Sequence, residues 1–228
     1  MMILKYPYLE KEIAFNKDSY TNIVIENPSF LYSFIEELRN QTMAEEGRFL
    51  LLENGKELKF KEFVFLADNP MRIELDDKKI DSLIQKDISS HANQDQKEQY
   101  QQLLNQIVEY MDSLSISYSL PLSFDMDLPL SSLLKTMSLH VDSDVDDFLE
   151  RLLMKIKELS VIFKLQIFVF LNLHDFLPSE KIALLKEECN RLEVYPLLVS
   201  SHLPRHRNET EKIIEIDEDL CELHIEEK

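Results

Sequence analysis

One apolar stretch decides the fold class of this protein: Gln166-Ile167-Phe168-Val169-Phe170-Leu171. A short, nearly continuous apolar run is typical of a strand that is buried on both faces of a sheet. A second run of this kind spans residues 194–199, and apolar residues between the two runs recur at helical spacing from Ile182 to Leu192. A strand, a helix and a strand at this spacing predict two parallel strands joined by a crossover helix, and therefore an α/β fold.

Residues 1–76 predict a small mixed unit of short strands around one helix. Six segments are rich in β-branched, aromatic and leucine residues and predict strands: residues 3–6, 12–15, 22–25, 48–53, 57–60 and 63–66. The helix is expected to start at Pro28, because apolar residues follow it at helical spacing as far as Leu38. Asn54-Gly55 predicts a hairpin turn, and residues 213–216 and 221–225 predict a closing hairpin.

Residues 77–137 predict helices only. Apolar residues recur at helical spacing over residues 80–88 and 100–114, and the polar run at residues 91–94 separates the two stripes. A short helix is expected after Pro129. Narrow apolar stripes with glutamine-rich outer faces are hard to bury in a compact domain. We therefore expect residues 77–137 to form an inserted helical leg or oligomerisation arm, and residues 1–76 and 138–228 to form an α/β head.

Composition places the chain in the soluble globular class and limits its partners. The longest apolar stretches are far short of the roughly 20 residues that span a membrane. Residues 1–12 lack the pattern of a secretion signal, so we expect a cytoplasmic protein. The net charge of −18, from 43 acidic and 25 basic residues, repels nucleic acid unless the basic residues are gathered on one surface. The two isolated cysteines, Cys189 and Cys221, predict buried thiols rather than a zinc site or a disulfide.

The sequence predicts none of three kinds of catalytic site. The only glycines, Gly47 and Gly55, lie outside any phosphate-binding motif, so no functional nucleotide-binding loop is expected. Residues 200–202, Ser-Ser-His, follow a predicted strand, but without a GxSxG turn or an evident third catalytic residue. Residues 57–59, Glu-Leu-Lys, match half of a metal-nuclease motif, but no Pro-Asp precedes them. The chain is therefore expected not to be an enzyme.

Several short segments, in their order along the chain, carry a resemblance to a known family. They are residues 168–180 and 192–200 near the C-terminal strands, and residues 120–128 and 133–135 in the helical region. In these segments the chain resembles the type II-A CRISPR-associated spacer-acquisition proteins. The resemblance implies an ATPase-like α/β head, a helical leg, and a homotetrameric ring whose central hole admits the ends of double-stranded DNA. It further implies bound Ca²⁺ and work beside the CRISPR integrase complex and the RNA-guided effector nuclease.

The resemblance also implies metal ligands. Asp125 and Asp127 match acidic positions of the family segment and are the predicted calcium ligands, while the family's next acidic position is Ser131 or Ser132 here. As an alternative, one of the two aspartates caps the helix that begins near Pro129. A second acidic cluster is predicted to be a solvated helix N-terminus and comprises Asp142, Asp144, Asp146 and Asp147.

Basic residues on one inner surface of a ring would reconcile DNA binding with the acidic total. The residues predicted to contact the DNA backbone are Lys78, Lys79 and Lys86 on the leg, and Arg205 and Arg207 in the loop after residue 200. No motif for reading base sequence is visible. Two alternatives remain: an acidic protein-protein scaffold that does not bind DNA, and an enzyme such as a metal-dependent nuclease.

Overall fold

A computed structural model describes residues 1–71, 78–125, 128–142 and 145–225, without the side chains of Lys79 and residues 93–95. The chain divides into two compact units. Met1–Leu75 and Asp144–Lys228 form the first, called the sheet unit below, and Asp76–Ser143 form the second, called the helical unit. Among the described residues, no helix has the length and apolar character needed to cross a bilayer.

The sheet unit contains two β-sheets, and its strands are numbered in chain order. They are β1 Met2–Lys5, β2 Ile13–Phe15, β3 Tyr20–Ile25, β4 Leu50–Glu53, β5 Lys56–Leu58, β6 Val64–Ala67, β7 Ile167–Leu171, β8 Tyr195–Ser200, β9 Glu211–Ile216 and β10 Glu222–Ile225. The small sheet has the order β2-β1-β4-β5, and the large sheet has the order β10-β9-β3-β8-β7-β6. The predicted α/β fold is confirmed.

Seven α-helices and one short 3-10 helix complete the described structure. In the sheet unit they are α1 Pro28–Thr42, α2 Phe60–Phe63, α6 Phe148–Phe163, the 3-10 helix Leu173–Asp175 and α7 Ser179–Arg191; in the helical unit they are α3 Lys78–Asp95, α4 Lys97–Ile116 and α5 Leu130–Thr136. Residues 60 and 63 were expected in strands but lie in α2. Two apolar residues at i and i+3 fit one helical turn as well as they fit the end of one strand and the start of the next.

The large sheet is built mainly from parallel strands. The predicted pairing of β7 with β8 is parallel, and the predicted closing hairpin of β9 and β10 is antiparallel. The sequence did not predict that β9 also pairs in parallel with β3. Strand β3 therefore lies between β8 and β9, two strands that come far later in the chain.

Apolar residues cover both faces of the large sheet. All five residues of β7 are buried; Ile167 and Val169 join one apolar cluster, while Phe168 and Phe170 join another. The first cluster includes residues of α1 and the small sheet, and the second includes residues of α6 and α7. The large sheet is thus the middle of three layers, which explains why its strands are apolar without alternation.

The helical unit departs from the prediction at one point. Helix α3 continues through the polar run at residues 91–94 and ends at Asp95. This run contains no glycine or proline, the residues that most often end a helix. Two long-range hydrogen bonds fix the unit: Gln85 Nε2 donates to Leu139 O at 2.7 Å, and Tyr100 Oη donates to Leu128 O at 2.5 Å.

Left-handed backbone occurs at non-glycine residues because the chain has only two glycines. The described residues with positive φ other than glycine are Ala44, Asn54, Ser138, Lys164, Asn172, Glu193 and Leu220. A residue with a Cβ atom loses about 1–2 kcal/mol in this conformation. Several of these residues directly follow a helix, where glycine is the usual choice. These helix ends are therefore less stable than they would be with glycine in the left-handed position.

Replacing Lys164 by glycine is expected to raise the free energy of unfolding by about 1 kcal/mol. Lys164 ends α6 with a φ of 59°, and its N–H donates to Leu159 O. Glycine adopts this conformation without a steric penalty. Urea unfolding followed by circular dichroism measures the change. Lys164→Ala removes the same side chain but keeps Cβ, so equal stability of the two variants would contradict the explanation.

Of the two cysteines, only one is buried as predicted. Cys189 lies on the inner side of α7, and burial raises the pKa of its thiol to about 12. Cys221 is exposed because it lies in the connection between β9 and β10, so that part of the prediction is wrong.

Candidate functional site

A loop at residues 201–210, called the β8–β9 loop, is the strongest candidate for a binding site. It begins at the carboxyl end of β8, a common location for ligands in α/β folds. Its start is fixed by Asn172, whose Oδ1 accepts from Ser201 N at 2.8 Å and from Ser201 Oγ at 3.2 Å. Asn172 directly follows β7 and adopts left-handed backbone with a φ of 49°.

The far half of the β8–β9 loop is held by Ser179 and Tyr20. Ser179 Oγ donates to His206 O at 2.7 Å, while Asn208 Nδ2 donates to Ser179 O at 2.8 Å and to Tyr20 Oη at 3.0 Å. These bonds join the loop to the first turn of α7 and to β3. The loop is thereby fixed on both sides of its basic residues.

Arg205 and Arg207, both predicted to contact DNA, lie exposed between these two attachments. His202 and His206 are exposed in the same loop, and Glu209 is its one acidic residue. This is a local basic surface on a strongly acidic protein. Guanidinium groups on an ordered loop can bind phosphate oxygens without first losing much conformational freedom.

A buried polar network lies beneath the loop. Glu211 Oε1 lies 2.8 Å from His174 Nε2 and accepts from Asn22 Nδ2 at 2.9 Å. Ser200 Oγ donates to Asn22 Oδ1 at 2.9 Å. Burial raises the pKa of Tyr20, and the charge of Glu211 raises it further. The network joins β3, β8, β9 and the 3-10 helix, so it positions the elements from which the loop extends.

Ser201, His202 and Asp175 form a hydrogen-bonded line that the sequence did not reveal. Ser201 Oγ lies 3.1 Å from His202 Nδ1, and His202 Nε2 lies 3.1 Å from Asp175 Oδ1. Asp175 is thus a third residue beside Ser201 and His202 that was not evident in the sequence. However, Ser201 N donates to Asn172 Oδ1, so this N–H cannot stabilise an oxyanion. The line joins the loop to the 3-10 helix.

The lysines of the helical unit that were predicted to contact DNA lie in α3. Lys78 and Lys86 are exposed and eight residues apart, which places them about 80° from one another around the helix axis. The side chain of Lys79 lies outside the described residues. Lys78 and Lys86 thus belong to one unit, and Arg205 and Arg207 belong to the other.

Asp125, one of the two predicted calcium ligands, is exposed in the connection between α4 and α5. Asp127, the other, lies outside the described residues. The N-cap residue of α5 is Pro129, so Asp125 is not its N-cap. In the part of the chain that the structure describes, no three His, Cys, Asp or Glu side chains gather to hold a metal.

The second acidic cluster contains a helix cap, as predicted. Asp147 Oδ1 accepts from Leu149 N at 2.8 Å and from Glu150 N at 3.2 Å at the start of α6. Its other oxygen contacts Lys181 Nζ at 2.6 Å, which holds the pKa of Asp147 below its ordinary value. Asp144 lies outside the described residues.

The half-motif of a metal nuclease is not assembled in the structure. Glu57 is exposed in β5, and Lys59 precedes α2 and contacts Glu62 at 3.2 Å. Lys59 is thus neutralised by a neighbour in sequence rather than paired across a metal site.

The apolar stripe of α4 is only partly covered by other residues, since none of the 20 residues of this helix is buried. Leu103 is 42% exposed, Tyr110 64% and Leu114 45%. Exposed apolar surface of this extent on a long helix is typical of a surface that contacts another protein.

Comparison with known proteins identifies the family. Residues 41–220 match the family described as "CRISPR-associated protein (Cas_Csn2)". The chain belongs to the Csn2 family. The resemblance seen in the sequence is thus confirmed, and the chain has a CRISPR-associated role. The matched residues include the whole helical unit and the β8–β9 loop.

Other comparisons add little to the Csn2 assignment. No curated protein matches the sequence. The chain is similar to a solved structure titled "Structure of a bacterial Atm1-family ABC exporter with ATP bound", with a TM-score of 0.42 and 11% identity over 95% of this chain and 37% of the exporter chain. The Csn2 chain thus spans about a third of the exporter chain. This likeness is too weak to support an argument, and the ATPase-like character of the head stays a prediction.

Sequence reasoning missed the residues that hold the site of this Csn2 protein together. Asn22 interrupts the apolar run of β3, so a polar residue within a buried strand was the available signal there. Glu211 gave no such signal, because β9 also contains Lys212 and Glu215. Asn172 and Asn208 gave no such signal, because asparagine is common in any loop.

Proposed function

We propose that this chain forms a homotetrameric ring that binds the ends of double-stranded DNA and supports the acquisition of new spacers in type II-A CRISPR immunity. The observation that carries the proposal is the β8–β9 loop, where Arg205 and Arg207 lie exposed between two hydrogen-bonded attachments. Membership in the Csn2 family supplies the biological setting. The partners proposed from the family are the CRISPR integrase complex and the RNA-guided effector nuclease in the cytoplasm.

The charge distribution favours contacts with the DNA backbone over contacts with bases. The chain has a net charge of −18, so a duplex is attracted only where basic residues are concentrated. Arginine binds phosphate oxygens through two parallel hydrogen bonds. Such contacts carry no sequence information, so binding is proposed to be independent of DNA sequence. Lys78, Lys79 and Lys86 are proposed as further backbone contacts.

Self-association is supported by the helical unit. The stripe of α4 exposes leucine and tyrosine side chains along the helix, and a second copy would remove them from water. A closed, symmetric assembly buries such a surface on every copy. A homotetramer is the state proposed from the family.

Calcium is proposed to stabilise the ring through Asp125 and Asp127. Hard divalent cations take oxygen ligands, and the described residues of one chain offer Asp125 alone in this region. The remaining ligands are proposed to come from Asp127, backbone carbonyls, water or a neighbouring copy. No catalytic step is proposed for the ion or for the protein.

The ring is tested by mass-resolved size exclusion with Ca²⁺ and with a chelator, in the presence of linear or closed-circular duplex. A tetramer that loosens in chelator and shifts only with linear DNA supports the proposal. A calcium-indifferent monomer that ignores both DNAs overturns it in favour of an acidic scaffold. Cleavage of labelled duplex in Mg²⁺ or Mn²⁺ would overturn the non-catalytic part.

Reversing the charge of Arg205 and Arg207 together is expected to weaken binding to linear duplex by about tenfold or more at physiological salt. The salt dependence of binding should also fall, because each lost phosphate contact lowers the slope by about one. Fluorescence anisotropy across a salt series measures both quantities. The control is Arg39→Glu on α1. This helix covers one face of the large sheet, and α7, to which the β8–β9 loop is attached, covers the other. An equal loss per reversed arginine in the loop variant and the control would assign the effect to net charge and not to the loop.

A further inference from the structure

One segment of the helical unit has the sequence pattern of a β-strand but no strand structure. From Leu114 to Phe124, every second residue is apolar, and the residues between are serines and one proline. Residues 117–125 lie outside any helix or strand. Strict alternation of this kind is typical of a strand with one buried face.

The apolar side chains of this segment are exposed. Tyr118 is 61% exposed, Leu120 63% and Leu122 53%, and Phe124 is half-buried. The backbone N–H groups of Leu120, Leu122 and Phe124 donate to no residue that the structure describes. The segment therefore offers both apolar side chains and unused hydrogen-bonding groups.

Pro121 determines which edge of the segment could pair. In a strand, the N–H and C=O groups of alternate residues point to opposite edges. The groups of Tyr118, Leu120 and Leu122 share one edge, while Pro121, which has no N–H, lies on the other. The proline blocks one edge only, as in edge strands of known sheets.

Charge indicates what kind of partner this edge accepts. The twelve residues from Ser113 to Phe124 carry no charge, although 30% of the chain is charged. Two copies of a protein with a net charge of −18 repel each other, and least so where they meet through an uncharged segment. This favours a second copy of the chain as the occupant.

The segment is also complementary to itself. An antiparallel arrangement with Pro121 on the two-fold axis places Tyr118 opposite Phe124 and Leu120 opposite Leu122. Each apolar residue then faces an apolar residue of the other copy, and all of them lie on one face of the ribbon. Both copies pair through the edge that lacks proline. Contacts of this isologous kind build closed, symmetric assemblies.

We propose that residues 118–124 pair with the same residues of a second copy as an antiparallel two-stranded ribbon. The inference rests on the proposed ring, because an isolated two-stranded ribbon is marginally stable in water and requires further contacts within the assembly. The ribbon specifies one interface of that ring, its register and its symmetry.

Disulfide trapping tests the register. In a Cys221→Ser background, a mixture of Tyr118→Cys and Phe124→Cys proteins is expected to form a mixed disulfide dimer under mild oxidation, identified by mass. Opposed residues have Cα atoms about 5.5 Å apart, within the range of a disulfide. Each variant alone is the matched control, because the same position in the two copies lies about 20 Å apart. Disulfide formation by either variant alone at the rate of the mixture would overturn this register.

A pair of proline variants tests the backbone pairing. Leu122→Pro removes an N–H from the pairing edge and is expected to raise the dissociation constant of the oligomer about tenfold. Ser123→Pro removes one from the edge that Pro121 already blocks and is expected to change it by less than about twofold. A tetramer in which the two variants behave alike and no mixed disulfide forms would overturn the ribbon but leave the ring. A wild-type monomer would overturn the ring itself.

Discussion

Replacing Glu211 by alanine is expected to lower the free energy of unfolding by about 3–5 kcal/mol. Its side chain is fully buried, and Oε1 contacts His174 Nε2 at 2.8 Å and Asn22 Nδ2 at 2.9 Å. Alanine leaves both groups buried without their acceptor, and this loss of solvation is not recovered in the folded state. Urea unfolding of the purified protein, followed by circular dichroism, measures the effect.

Two variants test whether this loss of stability comes from the missing acceptor oxygen and not from any substitution in β9. Glu211→Gln keeps the shape of the side chain and one acceptor oxygen, so its cost should be smaller than that of alanine. Lys212→Ala changes the next residue of β9, which is exposed, and should alter stability by less than about 0.5 kcal/mol. An alanine variant at position 211 that unfolds within about 1 kcal/mol of the wild type would show that the network contributes little.

Replacing Phe168 by alanine is expected to cost about 3–5 kcal/mol of unfolding free energy. Phe168 is completely buried in β7, and its ring lies 6.0 Å from that of Phe65. Alanine would leave a cavity between the large sheet and the layer of α6 and α7, because a strand paired on both sides cannot move to fill it. Urea unfolding followed by circular dichroism measures this change in unfolding free energy.

The matched control for this variant is Phe176→Ala. The Phe176 ring is 42% exposed, so its removal should cost about 1 kcal/mol or less. Phe168→Leu keeps most of the buried volume and should fall between the two. Similar losses for Phe168→Ala and Phe176→Ala would contradict the three-layer packing described here.

A strand of the large sheet could be predicted where burial alone determines which of its residues are apolar. Residues 167–171 are apolar because β7 is covered on both faces, and this pattern is visible in the sequence. The parallel pairing of β3 with β9 could not be predicted in this way, since an apolar strand looks the same in parallel and antiparallel pairs. That pairing joins residues 20–25 to residues 211–216, and no local pattern records such a distant contact.

The candidate site likewise combines features that could be predicted from the sequence with features that could not. Arg205 and Arg207 were found because charge is visible in a sequence, whereas their attachment through Asn172 and Asn208 depends on side-chain geometry. Asp175 reaches His202 because β7 and β8 are neighbours, although the two residues are far apart in sequence. Short-range pattern therefore identifies charged candidates, and strand order decides which polar residues meet.

The position of β3 between β8 and β9 has a consequence for synthesis of the chain. At about 5–20 residues per second, the ribosome completes β8 roughly 9–35 s after β3 has been completed. The helical unit, residues 76–143, is translated entirely within this interval. During that time the nascent chain carries an apolar strand whose two neighbours do not yet exist. Residues 20–25 are thus the stretch that a ribosome-associated chaperone would be expected to shield until β8 and β9 have been made.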